Sequence, residues 1–174
     1  MIKRTGDTFY FGIDESNHGV FPEVFVAVGS YNYTDSRVFP NSRKINEENI
    51  LFSSMRTRDY RFSVLTKKDY ERFHHKDIMP RVAGKLINSF EEDYDFLDVS
   101  VDGSLRQCQK DLLESLVDKG SELEGKILIK DLPKGEDYST NYLVSLADGW
   151  SRFIVKKLKK GEITAGMKRR YVEF

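Results

Sequence analysis

The chain has 174 residues, 39% of them hydrophobic and 13% aromatic, with 28 basic residues against 28 acidic ones. That length suits one domain, residues 1–174, and the aromatic content excludes a disordered chain. A net charge of zero excludes a wholesale basic nucleic-acid binder but leaves room for a local site.

No apolar run approaches the roughly 20 residues of a membrane-spanning helix, and the polar start lacks a signal-peptide core. The sequence therefore predicts a cytoplasmic chain with no membrane partner. Its single cysteine, Cys108, cannot close an internal disulfide, and multi-cysteine zinc is excluded.

In chain order, residues 8–13 alternate and are rich in aromatics, which predicts a strand. Residues 23–31 (EVFVAVGSY) and 60–66 (YRFSVLT) predict a second and a third. Between them, residues 35–59 are long for a structureless loop and suggest an insertion or flap, with a short helix near 47–52. Residues 67–92 carry Tyr70, Phe73, Met79, Val82, Leu86 and Phe90 at helical spacing, with a kink or a break expected at Pro80.

Residues 95–102 (DFLDVSVD) alternate strictly, so Asp98 and Asp102 share one face of a fourth strand. Ser104 and Gln107 have the form of a capping box that opens a helix with Leu105, Cys108, Leu112 and Leu116 as its apolar stripe. On that stripe Cys108 is expected in the core. Residues 126–130 predict a fifth strand. Residues 139–159 predict a long helix with Leu143, Leu146, Ala147, Trp150, Ile154 and Leu158 on one face. The order β-β-β-α-β-α-β-α predicts a mixed five-stranded α/β sheet with helices packed on it.

Chemistry concentrates at Gly12-Ile13-Asp14-Glu15-Ser16-Asn17-His18-Gly19. Two adjacent carboxylates close an apolar strand and enter a polar turn. Such a pair raises its own pKa values unless a cation neutralises it, and an all-oxygen donor set favours Mg²⁺ or Mn²⁺. The alternative is a solvated strand end.

Asp102 ends the fourth strand ahead of Gly103, where open α/β sheets gather their sites, and Asp98 is the second choice. Asp131, Asp137 and Asp148 compete to supply a further carboxylate. Asp148 shares a helix flank with Val144, Ser151 and Val155. Asn17 and His18 in the turn, and the arginines Arg56, Arg58 and Arg61, are the candidates to hold a phosphate strand. Basic residues also gather at 156–160 and in Lys168, Arg169 and Arg170 beside Tyr171.

The element order and these acids resemble the ribonuclease H-like superfamily. Gly12-Ile13-Asp14-Glu15 is similar to the strand end of ribonuclease HII, and Val101-Asp102-Gly103 to that family's mid-chain aspartate. The positional match to its last aspartate is Asp137. Asp14-Glu15-Ser16 together with Leu146-Ala147-Asp148 resembles nuclease-like families that open on Asp-Glu-Ser, and there the last ligand is Asp148.

The chain departs from ribonuclease HII after the acids. Ser16-Asn17-His18-Gly19 replaces the family's Ala-Gly-Arg-Gly, which removes the arginine that approaches an RNA–DNA junction. The resemblance implies a metal-dependent nuclease of RNA, RNA/DNA hybrid or structured nucleic acid, acting as a monomer or homodimer. In it Asp14, Glu15, Asp102 and Asp148 or Asp137 would hold Mg²⁺ or Mn²⁺. The alternatives are a non-catalytic nucleic-acid- or protein-binding module and a resolvase-like enzyme on branched DNA.

Overall fold

A computed structural model describes residues 7–16, 19–31, 47–55, 58–92, 94–117, 126–132 and 142–174. The strands are β1 (Thr8–Ser16), β2 (Glu23–Ser30), β3 (Asp59–Leu65), β4 (Phe96–Asp102) and β5 (Ile127–Leu132). The helices are α1 (Glu47–Ser54), α2 (Lys67–Arg72), α3 (His75–Asn88), α4 (Gln107–Val117), α5 (Tyr142–Lys160) and α6 (Ala165–Lys168).

The strands form one sheet in the order β3-β2-β1-β4-β5. β1 runs antiparallel to β2, and β2 to β3, whereas β1–β4 and β4–β5 are parallel. The short β-β-β start thus makes a meander, and each later strand returns in parallel after a helix. This is the mixed sheet that the element order predicts.

Alternation sorts the side chains into two cores. Phe9, Phe11, Ile13, Phe25, Ala27, Leu97, Val99 and Val101 face α3 and α4. Val24, Val26, Val28, Tyr60 and Phe62 face α5, which lays Leu143, Leu146, Ala147, Trp150 and Ile154 on them. Trp150 stacks on Tyr60 with ring centroids 4.1 Å apart.

One glycine sets how closely α5 approaches. A Cβ added at Gly12 would stand 2.2 Å from the carbonyl carbon of Leu143 and 2.3 Å from the amide nitrogen of Val144. Only a residue without a side chain lets that backbone touch β1, which is the usual meaning of a glycine inside a strand.

Two local expectations are corrected. The 67–92 stretch is two helices, but the break falls at Phe73–His74 and Pro80 lies inside α3. Proline cannot donate to the carbonyl four residues back, which is that of Lys76. Gln109 supplies the missing donor, its Nε2 reaching the Lys76 carbonyl at 2.7 Å, so α3 continues through Pro80.

Second, α4 starts at Gln107, with the side chain of Gln109 accepting from the Arg106 amide at 3.0 Å. Its buried positions are Leu113 and Val117, and Cys108 is exposed, not in the core. The stripe is displaced by one residue because the partner surface selects Leu113 and Val117 over Leu112 and Leu116.

The end of the chain is ordered onto the sheet. Arg170 and Val172 exchange backbone bonds of 3.0 and 2.8 Å with Phe62, and so cover the free edge of β3. The short helix expected within 35–59 is α1; the remainder of that flap, 35–46, 56 and 57, falls outside the described residues. Among the described residues no helix is long and apolar enough to cross a membrane.

Candidate active site

The parity of β1 decides where its acids go. Gly12 faces α5, so Asp14, two residues on, faces α5 as well, while Glu15 points to the other face with Ile13. On β4 the core residues Val99 and Val101 face α3 and α4, which turns Asp98, Ser100 and Asp102 toward α5. The parallel register pairs Gly12 with Ser100 and Ile13 with Val101, so Asp14 and Asp102 are the next level of adjacent strands. α5 brings Asp148 over this corner one turn beyond the Leu143–Val144 contact with Gly12.

Asp14 is 4% exposed, and the hydrogen bond it accepts from the Glu15 amide is 2.7 Å long. Burial first, and then the charges of Asp102, Asp148 and Glu15, push its pKa up to about 9. A carboxyl so shifted is a group in want of a cation. Asp102 adds a second sign of the same need: its Oδ1 is buried without a hydrogen-bond partner among the described residues. Asp148 is partly exposed and is met by Arg152 one turn along α5 at 3.0 Å.

The competing acids are committed elsewhere. Asp98 shares the α5-facing side of β4 but is paired with Lys130 at 2.6 Å. Asp131 pairs with Val101 in register, so it points to the opposite face, where Lys110 holds it at 2.5 Å and lowers its pKa. Asp137, Asn17, His18 and Arg56 lie outside the described residues.

The other two arginines are not brought to the acids. Arg61 pairs in register with Ala27, which pairs with Ile13, and so it stands on the α3 side of the sheet. There it bonds Asp59 and lies over the Phe90 ring at 4.7 Å. Arg58 precedes β3 and lies over the Tyr142 ring at 4.7 Å, at the start of α5. Asp59, the next residue, is level with Phe11 and two strands across the sheet from β1, so Arg58 is displaced from Asp14 both along and across the strands.

Sequence reasoning missed two neighbours of the site. Arg152 was signalled by its spacing of four from Asp148 on a helix. Glu23 carried no local signal. It is 3% exposed, accepts from the Gly19 amide at 2.9 Å and from the Tyr70 hydroxyl, and so ties the turn after β1 to α2.

Among the described residues no three acid, histidine or cysteine side chains already stand at metal-coordinating separations. The donors nonetheless fit a hard cation. Asp14 and Asp102 are all-oxygen ligands, one raised in pKa by its acidic neighbours and the other carrying an orphaned buried oxygen. Mg²⁺ in particular needs only one or two carboxylates and keeps several waters.

No protein-family model and no curated protein matches the sequence. Solved structures do match. Ribonuclease H2 from Pyrococcus horikoshii OT3 superposes with a TM-score of 0.60 at 16% identity, over 91% of this chain and 80% of its own. Ribonuclease HII from Archaeoglobus fulgidus, solved in complex with PCNA, gives 0.62 at 15% identity, over 91% and 81%. This chain has the ribonuclease H-like fold.

A third ribonuclease H-like neighbour, Bst ribonuclease HIII in complex with Mn²⁺, gives 0.56 at 19% identity, over 89% of this chain and 54% of that one. Identities this low speak for the fold alone. In the terms of that fold, the first strand, the neighbouring parallel strand and the last long helix each deliver one carboxylate to the same corner.

Proposed function

We propose that this chain is a metal-dependent nuclease. Asp14, Asp102 and Asp148 would hold Mg²⁺ or Mn²⁺ for hydrolysis of phosphodiester bonds in RNA, RNA/DNA hybrid or structured nucleic acid; Glu15, the other acid expected from the sequence, is turned to the opposite face by the continuation of β1 to Ser16. The observation that carries this reading is Asp14: a buried carboxyl, driven to about 9 by burial and by three other acids, at the carboxyl end of a central strand. A fold has little reason to retain such repulsion unless a cation relieves it. The ribonuclease H-like neighbours, one of them solved with Mn²⁺, support the same choice of ion.

Asp14 and Asp102 would be the principal ligands, with Asp148 contributing from α5, while Glu15, on the opposite face of β1, would add only its charge. Asp137 remains the alternative fourth acid. A bound divalent ion supplies an activated water and charge stabilisation for the departing oxygen. The chain's own part is to fix the acids on adjacent strands, keep Asp14 from bulk water and hold Arg152 beside Asp148.

The test is cleavage of a labelled RNA/DNA hybrid and of a hairpin RNA. Activity is expected with Mn²⁺ or Mg²⁺, none in EDTA, and none from Asp14→Asn with its circular dichroism unchanged. Full activity in Asp14→Asn would refute the mechanism. A second reading, a non-catalytic nucleic-acid-binding module, draws on the Arg152–Asp148 pair, since a cation already meets that acid. It predicts hybrid binding without turnover under every metal condition.

A further inference from the structure

The charge balance of the whole chain conceals a strongly basic stretch. Residues 156–171 hold seven lysines and arginines and one acid, Glu162, which is itself paired with Lys157 at 3.1 Å. Lys156, Lys159, Lys160, Lys168 and Arg169 are all exposed. The active-site reading uses none of them.

One of these cations, Lys168, lines a cleft. It lies between the end of α5, α6 and the outer part of β3, and it has a volume of about 320 Å³. Its lining is Phe62, Val64, Leu158, Ile163, Lys168 and Tyr171, so Lys168 is the one charged side chain in an apolar wall. Tyr171 is 45% exposed, although its ring lies 5.6 Å from that of Phe62. The strap of Arg170 and Val172 on β3 fixes the backbone on either side of it.

We propose that this cleft seats bases of a single-stranded nucleic-acid segment, with Tyr171 as the stacking surface and Lys168 and its basic neighbours on the phosphates. Two features select that occupant. A run of exposed cations in a neutral chain, one of them, Lys168, in the cleft wall, calls for a polyanion, although Glu173 and Asp69 also act on Tyr171. An open apolar wall with a half-exposed aromatic calls for flat apolar groups, and nucleobases on a polyphosphate combine the two. The scarcity of polar lining makes the contact tolerant of sequence.

The cleft is also level with the carboxylates. Phe62 pairs with Val26, and Val26 with Asp14, which puts Phe62 two strands, or about 10 Å, across the sheet from Asp14. An unpaired extension of a substrate held at Asp14 would meet the cleft on the far flank of α5. The proposal rests on the nuclease reading for the class of ligand, and its test is independent of cleavage.

The test is fluorescence anisotropy of labelled dT12 and rU12 in EDTA, where nothing is cut. Both oligomers are expected to bind. Tyr171→Ala should weaken binding between about 5- and 150-fold, the range of one lost base stack. Tyr171→Phe should stay within about twofold of the parent, which separates stacking from structure. Lys168→Gln should flatten the dependence of log K on log salt by about 0.7. An abasic dodecamer should bind equally to the parent and to Tyr171→Ala.

Equal affinity of dT12 for the parent and for both Tyr171→Ala and Lys168→Gln would overturn the proposal. So would tighter binding of an acidic peptide of alternating glutamate and phenylalanine, which would assign the cleft to a protein partner. Oligomer binding without cleavage of either the hybrid or the hairpin RNA would refute the nuclease reading alone, and cleavage of either without oligomer binding would refute the cleft alone.

Discussion

Replacing Asp14 by asparagine should make the metal-free protein more stable, not less. The side chain is 4% exposed, and burial together with Asp102, Asp148 and Glu15 moves its pKa from an ordinary 3.8 to about 9. A folded-state pKa above the unfolded one means that the native state binds the extra proton between those limits. Stability therefore falls as pH rises from about 4 to about 9, at about 1.4 kcal/mol per unit.

At pH 7 the accumulated penalty is about 4 kcal/mol, as a ceiling, and asparagine removes it. The amide oxygen of asparagine can still accept from the Glu15 amide. Urea denaturation in EDTA at pH 5, 7 and 8.5 should show the variant gaining on the parent at each step. Adding Mn²⁺ should then favour the parent, by about 2.7 kcal/mol at a hundred times its Kd, with little response from the variant. Parallel stability curves for the two proteins across this range would refute the electrostatic argument.

Gly12→Ala should destabilise the fold by about 3 kcal/mol, because the new methyl would drive into the α5 backbone at Leu143–Val144; thermal denaturation measures it. Trp150→Ala should cost about 3–5 kcal/mol in urea, since a 1%-exposed indole stacked on Tyr60 leaves a large void. Gln109→Ala should cost about 1 kcal/mol and speed amide exchange in the first turns of α3, because it strips the donor that serves the Lys76 carbonyl opposite Pro80.

Much of the site was legible because strand parity is a local property. DFLDVSVD assigns Asp98 and Asp102 to one face without reference to anything else, and the structure keeps that assignment. Choosing between them was not local. It depends on Lys130, thirty-two residues along the chain, which neutralises Asp98, as Lys110 does Asp131. Asp148 was placed on the right helix flank by its spacing from Val144 and Ser151, both buried.

The failures have the same origin. Pro80 looked like a break because its missing hydrogen bond is local, while the side chain that makes good the loss comes from α4. Cys108 shares a helical spacing with Leu105, Leu112 and Leu116, but the face of α4 that packs on the core is that of Leu113 and Val117, and a choice between adjacent stripes is made by the partner surface. Arg58 and Arg61 look like a phosphate fork in sequence. The register of β3 with β2 turns Arg61 to the opposite face of the sheet, and Arg58, ahead of β3, lies over Tyr142 at the start of α5. The ordering of the tail on β3 could not be read from Tyr171 and Val172, whose partner Phe62 lies over a hundred residues back.

If Asp14 and Asp102 share a divalent ion, a crystal soaked in Mn²⁺ should show an anomalous peak bonded to carboxylate oxygens of both residues, and the peak should vanish in Asp14→Asn crystals treated in the same way. Ordered Asp14 and Asp102 side chains with no peak between them, or a peak held by other residues alone, would contradict a shared ion.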